Sequence, residues 1–263
     1  MLNINSTIKL NNGTAMPLLG FGTWQAKDGE TAYGAVRDAL KVGYRHIDTA
    51  KFYGNEESVG KAIRDSGIAR EEIWVTTKLW PTDAFNPEKA FQTSLDKLNI
   101  GYIDLYLIHF PVPGLVTKNW LKLEKILTGG KVRTIGVSNH SIAQIKSILK
   151  VATIKPAVNQ IKCSPYNYDP EMHEFCKNNG IAMEAYSPLT RGNNLNDAKL
   201  LSIAEKYKKS PAQILLRWCI QKDIATLPKS VHENRIIENA DIYDFELLDS
   251  DIALLDSFSK FIK

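Results

Sequence analysis

Cysteine is scarce in this sequence of 263 residues, which holds only Cys163, Cys176 and Cys219. Their spacing matches neither a zinc site nor a disulfide framework, and so few thiols indicate a reducing compartment. No apolar run reaches the roughly 18 residues that a membrane span requires. The N-terminus also lacks the basic and then apolar segments of a signal peptide. We therefore expect a cytoplasmic protein that has no membrane partner.

Concentrated charge of one sign is also missing. The formal net charge is +4 and the lysines and arginines are scattered, so no basic block marks a nucleic-acid-binding arm. Low-complexity segments and linkers are absent as well, and the 44% of hydrophobic residues suffices for one large core. These features predict a monomer with a single domain over residues 1–263, which binds a small molecule and no nucleic acid.

The glycine fingerprint of a Rossmann dinucleotide site is incomplete. The stretch Gly20-Phe21-Gly22-Thr23-Trp24-Gln25 begins as G-x-G but lacks the final glycine. No suitable strand–helix–strand unit surrounds it, so a Rossmann site is not expected. Any dinucleotide must be held by another kind of surface.

What the sequence does contain is one repeated pattern. A hairpin is predicted from Thr7 to Leu10 and from Ala15 to Leu19, because Asn11-Asn12-Gly13 between them tolerates positive φ. Eight short apolar runs follow, each ending in polar residues and each followed by helical periodicity. Eight such units favour a (β/α)8 TIM barrel with an N-terminal hairpin over an open doubly wound sheet. The helices are predicted at Glu30–Val42, Glu56–Asp65, Pro87–Leu98, Lys118–Leu127, Ile142–Leu149, Pro170–Asn178, Ala198–Lys208, Pro211–Gln221 and Leu247–Phe258.

Four ionisable side chains follow successive predicted strands, namely Asp48, Tyr53, Lys78 and His109. Strand ends of a barrel face one rim, so these residues are expected to converge there. An ammonium beside a phenol lowers the pKa of the phenol, and a carboxylate keeps the ammonium charged. Tyr53 is therefore predicted to act as a general acid while His109 orients a substrate oxygen. No metal is required.

Each of these residues taken singly has an ordinary structural explanation. Asp48 could cap a helix, Tyr53 could be a packed loop aromatic, and His109 could be a satisfied core histidine. Lys78 is harder to explain in this way, because a lysine between apolar neighbours in a strand needs a partner. The four together at one rim favour a catalytic interpretation.

A second cluster lies between Leu227 and Asn239. It carries Lys229, Ser230 and Arg235 where TIM barrels commonly bind phosphate, after the last strands. A lysine, an arginine and a hydroxyl suit a phosphomonoester. The alternative is a solvated basic turn.

At this point the motifs resemble those of the aldo-keto reductase family, in order and from end to end. The resemblance rests on Gly43–Glu56, Thr76–Trp80, Leu107–Pro111, Gly136–Asn139, Val158–Ile161, Ala185–Leu189 and Leu227–Asn239. It implies NADPH-dependent reduction of aldehydes and ketones on a barrel with an N-terminal hairpin. It also implies that Asp48, Tyr53, Lys78 and His109 form the catalytic tetrad.

The resemblance assigns further residues to the cofactor and to the substrate. Four residues match positions that line the carbonyl pocket in the family, namely Trp24, Trp80, His109 and Phe110. Their side chains could instead serve only to pack the barrel. The loop after His109 is short and the chain ends soon after Phe258, which implies an open pocket similar to that of short microbial dicarbonyl, glyoxal and diketo-gluconate reductases. The implied cofactor contacts are Gly22, Thr23 and Trp24 near the nicotinamide, Ser138, Asn139 and Gln160 on its amide, Tyr186 on its ring, Ser187, Leu189 and Arg191 at the pyrophosphate, Lys229, Ser230 and Arg235 at the 2′-phosphate, and Glu238 and Asn239 at the adenine.

Two other functions are weighed against this one. In an aldolase, Lys78 would form a Schiff base, although Ser138, Asn139, Gln160 and Tyr186 would then have no role. In a regulatory module, the barrel would bind the cofactor and perform no chemistry. The intact tetrad argues against the second alternative.

Overall fold

The computed structural model describes residues 2–259, in which eight parallel strands form one sheet in sequential order and a separate antiparallel hairpin precedes them. Met1 and residues 260–263 lie outside the described residues, so the expectation drawn from the end of the chain falls partly there. The strands are β1 (Thr7–Lys9), β2 (Ala15–Pro17), β3 (Phe21–Gly22), β4 (His46–Asp48), β5 (Trp74–Leu79), β6 (Ile103–Ile108), β7 (Val132–Ser138), β8 (Val158–Lys162), β9 (Ala182–Tyr186) and β10 (Ala225–Leu227).

Helices connect the strands and cover the outside of the sheet. None of them between residues 2 and 259 combines the length and the hydropathy that crossing a bilayer requires. The helices are α1 (Glu30–Val42), α2 (Glu56–Arg64), α3 (Pro87–Leu98), α4 (Val116–Thr128), α5 (Ile142–Leu149), α6 (Pro170–Asn178), α7 (Ala198–Tyr207), α8 (Pro211–Gln221), α9 (Glu233–Ala240) and α10 (Asp249–Asp256).

The predicted barrel is confirmed by the way its first and last strands meet. Leu19, just before β3, pairs in parallel with Thr226 of β10. The amide of Gly20 donates to the carbonyl of Thr226 at 2.9 Å, and the amide of Gly22 donates to that of Pro228 at 2.9 Å. These bonds form a seam that closes the sheet, as a barrel requires.

The N-terminal hairpin lies at the end of the barrel where the strands begin. The side-chain amide of Asn11 donates to the carbonyl of Pro156 at 2.8 Å, and that of Asn12 donates to Thr134 Oγ1 at 3.1 Å. Pro156 precedes β8, and Thr134 lies near the start of β7. The hairpin therefore covers the rim opposite to the polar strand ends.

Local signals predicted most helix starts correctly. Asn86 and Asp169 accept the amides of Lys89 and Met172, and Ser210 forms a reciprocal capping box with Gln213. The segment around Arg235 forms the two turns of α9.

Gly60 of α2 gives a test of this packing. A Cβ at this position would overlap the backbone carbonyl of Leu98 in α3, so Gly60→Ala is expected to lower the free energy of unfolding by about 3 kcal/mol. Gly34→Ala in α1 is the matched control, because nothing lies within 4 Å of its added Cβ and alanine favours a helix by about 1 kcal/mol. Urea titrations of both variants make the comparison. Equal midpoints would contradict this close contact between α2 and α3.

Candidate active site

Lys78 is the centre of a hydrogen-bonded group at the strand ends. It lies on β5, its side chain is fully buried, and Nζ donates to Asp48 Oδ1 at 2.7 Å and to the carbonyl of Thr49 at 2.8 Å. Its third bond, at 3.3 Å, is to the phenol oxygen of Tyr53, which a short 3₁₀ turn presents just after β4. Ammonium, carboxylate and phenol thus meet as the sequence predicted.

The pKa of Lys78 argues against a Schiff-base lysine. Burial lowers that pKa, but the charge of Asp48 and the hydrogen bonds to Asp48 and Tyr53 outweigh burial and hold it above its usual value. Burial in turn raises the pKa of Asp48, which Lys78 opposes. A Schiff-base nucleophile must instead lose its proton near neutral pH, so this geometry disfavours the aldolase alternative.

Lys78 lowers the pKa of Tyr53 as predicted, but burial has the larger effect, so the expected net fall in this pKa is not found. Burial raises the pKa of Tyr53 to about 12, and the nearby ammonium only reduces this rise. The phenol is consequently protonated throughout the neutral range. The sequence shows that a charged residue lies near Tyr53, but it does not show how deeply the phenol is buried. The extent of burial decides whether the pKa of Tyr53 rises or falls.

His109, the fourth residue of the predicted tetrad, directly follows β6. Its ring lies 5.8 Å from that of Tyr53, between centroids. Burial and the charge of Lys78 lower the pKa of His109 to about 2, so the ring is neutral. Its Nδ1 is buried and has no hydrogen-bond partner among residues 2–259. A neutral imidazole at this position can orient a polar ligand without adding charge.

Aromatic side chains form the wall of the cavity beside the tetrad. The ring of Phe52 stacks on Trp80 at 3.8 Å and on Trp24 at 5.3 Å, while Phe110 contacts Trp80 edge to face at 5.9 Å. Phe52 and Phe110 are 48% and 38% exposed, which places apolar surface at the mouth. The sequence did not indicate Phe52, since an aromatic in a loop carries no signal of stacking.

Polar groups from β7, β8 and β9 face the same cavity. The hydroxyl of Tyr186 donates to Asn139 Oδ1 at 2.8 Å, and Asn139 holds a left-handed φ of 59°. Asparagine tolerates this left-handed backbone better than most residues other than glycine. Ser138 is fully buried and donates to the carbonyl of Gln160 at 2.8 Å.

The cavity has a volume of about 770 Å³ and extends from the tetrad to the start of α9. Lys78, Ser138 and Thr23 are the predicted site residues that do not line it. Thr23 is buried and donates its hydroxyl to the carbonyl of Asp48 at 3.0 Å, so it supports the strand end from behind. The predicted residues that line the cavity are Gly22, Trp24, Asp48, Tyr53, Trp80, His109, Phe110, Asn139, Gln160, Tyr186, Ser187, Leu189, Arg191, Lys229, Ser230, Arg235, Glu238 and Asn239.

Cationic side chains line the far end of the cavity. Arg191, Lys229 and Arg235 form no ion pair with any residue between positions 2 and 259. Positive groups without a protein partner suit an anionic ligand. In the part of the chain that the structure describes, no cluster of His, Cys, Asp and Glu is arranged to hold a metal ion.

Glu184 is a buried polar residue that the sequence analysis missed. It lies on β9 between Met183 and Ala185, and none of its surface is exposed. A charged residue among apolar neighbours was the signal that identified Lys78, and the same signal was available here.

Comparison with known proteins identifies the family to which the chain is similar. Residues 18–260 match the model of the Aldo/keto reductase family. The chain is 45% identical over 260 residues to glyoxal reductase of Bacillus subtilis strain 168, covering 98% of this chain and 94% of that protein. It is 41% identical over 246 residues to methylglyoxal reductase DkgA of Escherichia coli strain K12, covering 92% and 89%. A Bombyx mori aldo-keto reductase solved in complex with NADP is similar in structure, with a TM-score of 0.91, 36% identity and coverage of 100% of this chain and 95% of that one.

Proposed function

The chain belongs to the aldo/keto reductase family and is an NADP-dependent oxidoreductase, and from this premise we propose that it reduces small aldehydes and α-dicarbonyls, with Tyr53 as the proton donor. The observation that carries the proposal is the bond from Lys78 to both Asp48 and Tyr53 on the floor of an aromatic cavity. The bound cofactor supplies a hydride to the carbonyl carbon.

The residues present fit NADPH along the length of the cavity. Asn139 and Gln160 offer amide groups near the tetrad, and Tyr186 offers a ring beside them. The cavity volume of about 770 Å³ is typical of cofactor sites. Lys229 and Arg235, with the hydroxyl of Ser230, suit a 2′-phosphate, which favours NADPH over NADH.

The proton path follows from the hydrogen bonds of Tyr53. His109 holds the carbonyl oxygen, and Tyr53 gives its proton to that oxygen as the carbon receives the hydride. The alkoxide formed in this way is a stronger base than a phenolate, so a phenol of raised pKa still protonates it. Lys78 stabilises the resulting phenolate, and Asp48 keeps the ammonium charged and in place.

The size of the substrate is inferred from the aromatic wall. Phe52 fills the space between Trp24 and Trp80, which favours a small carbonyl compound beside Tyr53. Relatives named glyoxal reductase and methylglyoxal reductase support the same class.

The proposal is tested by oxidation of NADPH with a panel of carbonyl compounds. Methylglyoxal, glyoxal and short aldehydes are expected to give kcat/KM at least about tenfold above that of a bulky aromatic ketone, because the latter requires displacement of stacked rings at a cost of ~1.4 kcal/mol or more. A keto-sugar is included in the panel because the sequence also resembles that of diketo-gluconate reductases. NADH in parallel is expected to show a higher KM. No turnover of any carbonyl compound would refute the proposal.

A further inference from the structure

Gln160 is held in one orientation by two acidic side chains. Its Nε2 donates to Asp48 Oδ2 at 2.8 Å and to Glu184 Oε2 at 2.6 Å. Gln160 of β8 and Glu184 of β9 are paired in the sheet register. A primary amide has two N–H donors, so both are used inside the barrel.

The oxygen of the Gln160 amide is left for a ligand. Gln160 lines the cavity, and within residues 2–259 no hydrogen bond to its Oε1 is found. With both N–H groups directed to carboxyl oxygens, the oxygen must point elsewhere. It is therefore available as an acceptor beside the tetrad.

Asp48 accepts only one N–H of this amide, and without a second acceptor the other N–H would be buried and unpaired. The second acceptor is Glu184. A flipped amide would place its oxygen against the Asp48 carboxylate and would lose both N–H bonds, which disfavours the flip.

The surroundings of Glu184 show which of its two carboxyl oxygens accepts the hydrogen bond from Gln160. Burial and the charge of Asp48 raise the pKa of Glu184 to about 8, so at neutral pH it carries a proton. His46 Nε2 lies 3.6 Å from Glu184 Oε1, and burial lowers the pKa of His46 to about 3. Oε2 consequently accepts from Gln160, while Oε1 faces a neutral imidazole. Lys78, the remaining nearby charge, is committed to Asp48.

We propose that Glu184 is a positioning residue, which locks the Gln160 amide with its oxygen facing the cavity so that it accepts an N–H of the nicotinamide carboxamide. The inference rests on the proposed function, since it assigns the tetrad end of the cavity to the nicotinamide. It predicts that the protein distinguishes a carboxamide, which has N–H donors, from a group of the same shape that has none.

The matched pair Glu184→Met and Glu184→Gln tests the lock. Methionine fills the same space without an oxygen acceptor, whereas glutamine keeps one and resembles the protonated acid. Dissociation constants are measured by quenching of tryptophan fluorescence, because Trp24 and Trp80 line the cavity. We expect E184M to bind NADPH about tenfold more weakly and E184Q to bind it as the wild type does. Adenosine 2′,5′-bisphosphate, which lacks the nicotinamide, is expected to bind all three proteins equally.

Discrimination between coenzyme analogues gives a second readout, in which the wild type alone can already overturn the proposal. The 3-acetylpyridine analogue of NADP has a methyl group in place of the carboxamide nitrogen. A locked oxygen acceptor predicts about tenfold weaker binding of this analogue to the wild type and to E184Q, and less than about threefold in E184M. A freely flipping amide would accept either group, so equal binding of the two by the wild type overturns the proposal.

Two further outcomes are decisive. If E184M binds the bisphosphate as weakly as it binds NADPH, Glu184 supports the fold in general and the proposal is wrong. If E184M lowers NADPH affinity further in a Gln160→Ala background, Glu184 does not act through Gln160 and the proposal is again wrong. These are binding measurements, so they stand even if no carbonyl substrate is turned over, and the two proposals fail separately.

Discussion

Tyr53→Phe is expected to lower kcat by roughly a hundred- to ten-thousand-fold, the range that a lost general acid produces. Only the phenol oxygen is removed, and with it the bond from Lys78 at 3.3 Å. The ring remains beside Trp24, 4.9 Å away between centroids, so the wall of the cavity is retained. NADPH binding is expected to be unchanged, because none of the groups assigned to the coenzyme is removed.

Single-turnover kinetics and fluorescence titration measure the two quantities separately. Tyr33→Phe is the matched control, since that phenol lies on α1 and donates to Asp65 at 3.0 Å, outside the cavity. It is expected to leave turnover intact. Full activity in the Tyr53 variant would remove Tyr53 from the reaction and leave the proton donor to be sought among the other groups of the cavity.

Lys78→Met is the variant with the second largest expected effect, and it acts on stability as well as on turnover. Methionine fills the volume but leaves the buried carboxylate of Asp48 without its cation. Breaking a buried ion pair in this way costs about 3 to 5 kcal/mol of folding free energy. Turnover is also lost, because no charge remains to stabilise the Tyr53 phenolate.

The double variant Asp48→Asn with Lys78→Met separates the two effects. An amide and a thioether leave no unpaired charge, so urea denaturation is expected to show recovery of most of the lost free energy of unfolding. Turnover is not expected to recover, since the ammonium is still absent. A double variant that is as unstable as the single one would mean that Lys78 stabilises the barrel through its bond to the carbonyl of Thr49.

The sequence predicted the features that depend on neighbouring residues. Helix starts at Asn86, Asp169 and Ser210 were predicted because a cap is a local hydrogen bond. The meeting of Asp48, Lys78 and Tyr53 was also predictable, because parallel strands of a barrel end at one rim. In each case chain position and topology suffice.

Features that depend on how deeply a side chain is buried were not predictable in this way. Whether the pKa of Tyr53 rises or falls is decided by burial against a neighbouring charge, and the sequence specifies only the charge. Thr23 and Ser138 belong to motifs whose other members reach the cavity, yet their hydroxyl groups are used by backbone carbonyls. Glu184 could have been found, because an acid inside an apolar strand must be paired or protonated.

The seam between β3 and β10 also has a consequence for how the chain folds. It joins residues near opposite ends of the sequence, Leu19 and Thr226, and closing so long a loop is slow compared with forming neighbouring strand–helix units. The same seam carries Gly22, Pro228 and Lys229 into the cavity wall. Folding and ligand binding are therefore thermodynamically linked, because a coenzyme bound across the seam stabilises the folded state in which the barrel is closed. During synthesis on the ribosome, this pocket is among the last parts of the molecule that can form.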